Sequence, residues 1–195
     1  MSKRAIIVVD MLKDYVALHA HSSIWEEGRK IIPNLSRLLS AARQASIPVI
    51  FANDSFMPHD FIFQGKVKPH AIRGTQGAEV IEELEPQPGD MVLEKRRFSA
   101  FFKTDLDITL RSLGIDTIVV TGITTECCVL TTLLDGMAND FKVILVEDCC
   151  ASSLKDNHNA IIKIFGNLTI QPLLDVLTLD ELLSEIGFTK PGAEG

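Results

Sequence analysis

The sequence predicts an α/β fold of three layers, a Rossmann-like arrangement in which a six-stranded parallel sheet is flanked by helices. Three observations predict it. Short runs rich in Val and Ile alternate along the chain with longer segments whose apolar residues recur at helical spacing. The run 4–9 (RAIIVV) reads as a strand buried on both faces. Repeated β-α units imply a parallel sheet covered by helices on both faces.

The elements follow in order. Residues 4–9 (RAIIVV) read as a strand ending at Asp10. Residues 28–46 carry Ile31, Ile32, Leu35, Leu38, Leu39 and Ala42 on one helical stripe, with Pro33 expected near the helix start. Residues 47–52 form the second strand. The stretch 53–76 is a long connector without periodicity, a length that is often functional. A helix is expected over 77–84, a strand over 90–94, and a helix over 104–113 that Gly114 stops, with Thr104 and Asp107 as a capping box. Strand 116–121 and helix 125–139 come next, then strand 141–147 and a helix over about 154–165. A sixth strand is expected over 168–173. Thr178 and Glu181 form a capping box for a last helix. One domain over 1–188 and a mobile tail over 189–195 are expected.

The composition excludes several classes of function. Of 195 residues, 46% are hydrophobic and 23% charged, the balance of an ordinary globular domain. The net charge of −7 and the lack of a long Lys/Arg block exclude a nucleic-acid footprint; Lys95-Arg96-Arg97 is too short for one. The four cysteines form two adjacent pairs, 127–128 and 149–150, without the C-x-x-C spacing of a zinc ribbon or redox motif. Reduced thiols in a cytoplasmic protein are expected. The apolar run Ala5–Val9 is too short for a signal core, and no stretch suits a bilayer. A small-molecule partner is expected, with neither nucleic acid nor membrane.

Parallel sheets carry their sites beyond the C-terminal ends of their strands. Asp10, Asp54, Lys95, Cys128 and Asp148 follow strands one to five in turn. Cys128 stands in the first turn of a helix that starts just after a strand, where unpaired N–H groups and the helix dipole favour a thiolate and can hold an oxyanion. A free cysteine is more often a small buried hydrophobe, and Asp10 and Lys95 are individually ordinary as a strand-end turn and a member of a basic run. Together they supply a nucleophile, a base for its proton and a cation to stabilise the charge.

The segment Val9-Asp10-Met11-Leu12-Lys13-Asp14-Tyr15 fits V-D-M/V-x-x-D-F, with tyrosine as the aromatic. Lys95 precedes Phe98-Ser99-Ala100-Phe101, which fits Y/F-S-A/G-F. Gly122, Ile123, Thr125, Cys128, Val129, Thr132 and Asp135 fit G-I/V/L-x-T-x-x-C-V-x-x-T-x-x-D. From about Ala5 to Ala151 the chain resembles the isochorismatase-like cysteine hydrolases, which include nicotinamidases and N-carbamoylsarcosine amidases. The resemblance implies a triad of Asp10, Lys95 and Cys128, with Cys127 a bystander. It also implies a cis peptide before Thr124, an oxyanion hole from the N–H groups of Thr124 and Cys128, hydrolysis of a small amide through a thioester, and a homo-oligomer, dimer or tetramer.

The resemblance further implies, for nicotinamidase-like members, a divalent metal such as zinc beside the triad. Asp54 and His70 match two of its ligand positions; the third falls near Phe63 and Gln64, with His59 and Asp60 shifted from it. The thiol chemistry itself needs no metal. Tyr15, Phe56, Phe61 and Phe63 are candidate substrate contacts, and ordinary packing residues otherwise. Lys13, Arg73 and Arg97 favour a substrate carboxylate. The tryptophan that stacks on nicotinamide in several relatives is replaced near Val67. Two competing readings remain: an ether-cleaving isochorismatase-type hydrolase, whose members lack the cysteine, and a non-catalytic binding or regulatory protein on the same fold. A phosphoryl-transfer site at Asp10 would need a second acid where Leu12 stands.

Overall fold

A computed structural model describes residues 3–18 and 23–188. Six parallel strands, β1 (Arg4–Val9), β2 (Val49–Asp54), β3 (Met91–Lys95), β4 (Thr117–Ile123), β5 (Lys142–Ala151) and β6 (Leu174–Leu177), form one sheet in the order β3-β2-β1-β4-β5-β6. The expected fold is therefore present. Chain order reverses between β1 and β4, the switch point at which such sheets open a crevice.

Alternation along the strands divides the core. Ile6 and Val8 join Leu35, Leu38 and Leu39 of α2 (Ser23–Gln44) and Leu179, Leu182 and Leu183 of α6 (Leu179–Glu185) on one face. Ala5, Ile7 and Val9 face the other core, with α3 (Leu106–Ser112), α4 (Leu130–Ala138) and α5 (Lys155–Phe165). A single four-residue turn of helix, α1 (Lys13–Val16), follows β1. Among the described residues no helix is long and apolar enough to cross a membrane.

Several expected boundaries change. Helix α2 begins at Ser23, so Pro33 lies well inside it; the packing of five buried aliphatic residues on this helix offsets the roughly 3 kcal/mol that an interior proline costs. Residues 77–84 form no helix. Two short 3₁₀ turns, Gln76–Ala78 and Glu82–Leu84, flank Val80, which bridges Leu12, and the amides of Lys13 and Ile81 bond across to Glu79 and Met11 carbonyls. The capping box at Thr104 and Asp107 does not form: Thr104 Oγ1 donates to the Ala100 carbonyl, and Asp107 pairs with Arg111 at 2.9 Å. The sixth strand lies at Leu174–Leu177, where it pairs with β5 in register, and 168–173 turns into it through Pro172. The box at Thr178 and Glu181 is present as expected. The expected mobile tail, 189–195, lies outside the described residues.

Candidate active site

The sheet register brings the motif residues together. Val9 pairs with Gly122, so Asp10 and the turn after β4 start side by side. Gly122 has φ +105°, and a Cβ there would lie 2.1 Å from the Val9 carbonyl oxygen; only glycine permits this approach of two backbones. Asp54 pairs with Lys95 at the ends of β2 and β3. Asp10 itself adopts φ +55°, a left-handed conformation uncommon outside glycine, which turns the chain out of β1. The peptide between Ile123 and Thr124 is cis.

Asp10, Lys95 and Cys128 converge. Lys95 Nζ, fully buried, donates to Asp10 Oδ2 at 2.8 Å and to Asp54 Oδ1 at 2.5 Å. The Asp54 amide donates to Asp10 Oδ1 at 2.7 Å. One side-chain ligand atom each of Asp10, Asp54 and Cys128 lies within 4.8 Å of the others. The cysteine stands on a five-residue π-helical turn, Thr125–Val129, that leads into α4, in place of the regular first turn expected. The amides of Cys127 and Val129 both bond the Thr124 carbonyl. Thr132 of α4 accepts from the Ala100 amide at 3.0 Å, which ties the segment after Lys95 to the helix that carries the cysteine.

Burial dominates the electrostatics. It pushes the Asp10 carboxyl up to about 7; Asp54 adds to the rise, and Lys95 opposes it. Burial works against the Lys95 ammonium, but Asp10, Cys128 and Asp54 outweigh it, and lysine stays charged. The Cys128 thiol is also pushed well up, by burial first and by Asp10 next, with Lys95 opposing. The lowered thiol pKa expected from the helix start is corrected: desolvation exceeds the pull of the N–H groups and the lysine. Cys128 is thus held as a neutral thiol hydrogen bonded with Asp10.

The remaining candidates separate. The Tyr15 hydroxyl donates to Asp54 Oδ2 at 2.8 Å, so it holds an acid instead of facing a substrate. His70 Nδ1 donates to the Lys68 carbonyl at 2.7 Å, and its ring packs edge-on against Tyr15, Phe56 and Phe63 at 5.2–5.5 Å. The metal positions Asp54 and His70 thus do not assemble: both Asp54 oxygens already bond to Lys95 and Tyr15, and His70 joins no group of three ligand-type side chains among the described residues. The group that does exist, Asp10, Asp54 and Cys128, already surrounds a cation, the Lys95 ammonium. These residues do not fit a resident metal. Asp148 lies within β5 and accepts from Asn34 and the Leu179 amide, a structural role.

A cavity of about 880 Å³ opens among the loops, walled by Phe56, Phe61, Phe98 and Phe102 and rimmed by Arg96 and Arg97; Asp10, Lys95 and Cys128 do not line it. Of the three residues expected to attract a carboxylate, Lys13 pairs with Glu79 and Arg73 with Glu94, at 2.8 and 3.1 Å. Arg97 sits 3.6 Å from Asp60, a longer pairing than theirs. Sequence reasoning missed His158. Asp60 was read only as shifted from an expected metal position, and its partner Arg96 only as part of a basic run.

Comparison with known proteins supplies independent findings. The model of the isochorismatase domain matches residues 4–180. The ureidoacrylate amidohydrolase RutB of Pantoea ananatis is 33% identical over 168 residues, 74% of this chain and 67% of its own. A probable inactive nicotinamidase of Arabidopsis thaliana is 31% identical over 179 residues, 86% of this chain and 90% of its own. The crystal structure of N-carbamoylsarcosine amidase from Thermoplasma acidophilum superposes with a TM-score of 0.79 at 31% identity, covering 91% of this chain and 97% of that one.

Proposed function

This chain belongs to the isochorismatase domain family, and on that premise we propose that it is a cysteine hydrolase cleaving the C–N bond of a small amide, nicotinamide-like or an N-carbamoyl amino acid. The observation that carries the reading is the convergence of Asp10, Lys95 and Cys128 at the β1–β4 switch point.

Ionised Asp10 accepts the thiol proton as Cys128 Sγ attacks the carbonyl carbon, forming a C–S bond. The carbonyl oxygen becomes an oxyanion, held by the amides of Thr124 and Cys128. As the C–N bond breaks, the proton on Asp10 passes to the departing nitrogen and ammonia leaves. Water, deprotonated by Asp10, then attacks the thioester; the C–S bond breaks and the thiol regains its proton. The sum is amide plus water giving acid plus ammonia. Lys95 fixes Asp10 and offsets the negative charge that builds on sulfur and oxygen. The aromatic cavity suits a small planar body, and Arg97 suits a carboxylate on it. We read the working form as a cytoplasmic homo-oligomer.

The name of the Arabidopsis relative favours a second reading, a non-catalytic binding protein. An ammonia-release screen over nicotinamide, pyrazinamide and N-carbamoyl amino acids separates the two. Turnover is expected for at least one, and Cys128→Ala is expected to lower kcat by about 10⁴-fold or more. Activity that survives Cys128→Ala removes the mechanism; no turnover of any amide favours the second reading.

A further inference from the structure

The back of the cysteine-bearing turn is held by α5, and nothing in the triad accounts for how. Thr125, the first residue of the turn, is fully buried, and its Oγ1 lies 2.9 Å from His158 Nδ1. Beside it, Glu126 Oε1 accepts from Ser152 Oγ at 2.8 Å and Asn157 Nδ2 at 3.3 Å, while Ser152 Oγ accepts from the Leu154 amide at 3.1 Å. Two successive side chains of the turn are thus gripped by the start of one helix. Thr125 follows Thr124 directly and precedes Cys128 by three residues, so this grip fixes both amides proposed for the oxyanion and the sulfur between them.

We infer that His158 is a positioning residue: as a neutral imidazole bonded to Thr125, it sets the orientation of the Thr124–Cys128 turn toward the reacting carbonyl. The inference rests on the hydrolase reading above. A buried hydroxyl without a partner is costly, so Thr125 requires an acceptor or donor at that point. The neutral ring offers an acceptor at one nitrogen; the imidazolium offers none and forces the hydroxyl to turn. The groups facing His158 are Glu126 of the turn, Glu27 of α2 and Lys155 of its own helix. Burial lowers its pKa and Lys155 adds to that, against the two glutamates, so the ring stays neutral under ordinary assay conditions. Misplacing a reacting group by about 1 Å costs on the order of 10²-fold in rate, so a small rotation of the turn registers in kcat.

Three variants test this: His158→Leu, which removes the partner; Thr125→Val, which removes the hydroxyl and keeps the shape; and His158→Asn, which restores a polar group near Nδ1. The first two are expected to lower kcat about 10- to 100-fold, with KM changed less than about threefold, and their double variant to be no worse than either alone. His158→Asn is expected to recover most of the rate and to lose the part of the acid limb that titrates below the ordinary histidine range. A second readout needs no turnover. Benzaldehyde adds to Cys128 as a hemithioacetal: the C–S bond forms, the thiol proton ends on the former carbonyl oxygen, and the adduct uses the same two amides. Its affinity is expected to fall about tenfold or more in His158→Leu and Thr125→Val, and far less in His158→Asn. Cys128-dependent turnover or adduct formation that ignores all three variants overturns the inference and leaves the hydrolase reading intact, as does an additive double variant. A wild-type protein with neither turnover nor adduct removes the hydrolase reading and this inference together.

Discussion

The sheet edge and the loops above it are built on opposite terms. At the edge, Asp10, Asp54, Lys95 and Cys128 are all buried, and each carboxylate oxygen of the two acids has a named donor. In the loops, Phe61 is 73% exposed, and Phe98 and Phe102 are about half exposed around an open cavity. The edge has no slack: its groups are held by strand register and by one another. The loops offer surface that only a ligand or another chain covers. On the proposed hydrolase reading, reaction chemistry belongs to the edge and choice of substrate to the loops, and substitutions in the two regions should fail differently.

The largest effect is expected from Lys95→Met. Its loss leaves Asp10 and Asp54 facing each other, buried, without their cation. Removing one partner of such a cluster costs about 3–5 kcal/mol, and activity is expected to disappear with the cation that offsets the sulfur and oxyanion charge. The stability deficit has a sign in pH. Protonating either acid relieves the repulsion, so the folded variant binds protons that the unfolded chain releases, and its stability falls as pH rises. Urea melts should show a larger deficit at pH 8 than at pH 5. An equal deficit at both would mean that lysine packs but does not neutralise.

The next effect lies in the pH profile of the unmodified protein. Burial and Asp54 hold the Asp10 carboxyl up to about 7, and only its ionised form accepts the thiol proton. Below that point kcat/KM is expected to fall about tenfold per pH unit. The Cys128 thiol is pushed well up, so no matching alkaline fall is expected near neutrality. The same group carries a stability term of opposite sense. Between the ordinary carboxylate value of 3.8 and about 7 the folded state holds a proton that the unfolded chain has lost, so this contribution shrinks as pH rises. A rate flat from pH 5 to 8 would show that Asp10 is not the base.

The same contrast explains what the sequence disclosed. Strands β1, β2, β4 and β5 were readable because a doubly covered strand leaves an apolar run; the end of β5 was not, since the strand continues through polar Glu147 and Asp148 to Ala151. Gly122 was readable as a motif letter; its reason, the Val9 backbone against it, is tertiary. The helix expected over 77–84 failed because the backbone there pairs with the 11–13 segment instead of itself. The Thr104 box failed because its Oγ1 accepts from the Leu106 amide at 3.3 Å and not from that of Asp107, whose carboxylate turns to Arg111. Tyr15 was read as a substrate contact, and no local signal indicates that its hydroxyl reaches Asp54, 39 residues away. His158 left no trace either, since its partner is 33 residues earlier.

The smallest effect is expected where the loop is tied down. Asp60 accepts from the Met57 amide at 2.8 Å and from Arg96 Nε at 3.1 Å, and Arg96 Nη2 pairs with its other oxygen. The Arg96 hydrogen bonds, with help from the Met57 amide and against some desolvation, hold the Asp60 carboxyl down to about 2. Its contribution to stability is lost only as pH falls through that value, so the tie is intact at every assay pH. Arg96 is nearly half exposed, so solvent screening keeps the pair weak. Asp60→Asn keeps the shape, halves the acceptor capacity and removes the charge. Because Asp60 anchors the segment that carries Phe61 and Phe63, the variant is expected to raise KM by up to about tenfold, the factor that about 1.4 kcal/mol represents. It should leave kcat within about threefold and leave the acid limb at about 7 unmoved, since Asp10 does not touch this loop acid. Steady-state kinetics on whichever amide is turned over, run across pH, decides it. A fall in kcat comparable to that of Lys95→Met would erase the division between edge and loop: it would mean that the aromatic segment positions the reacting carbonyl and does not merely choose what enters.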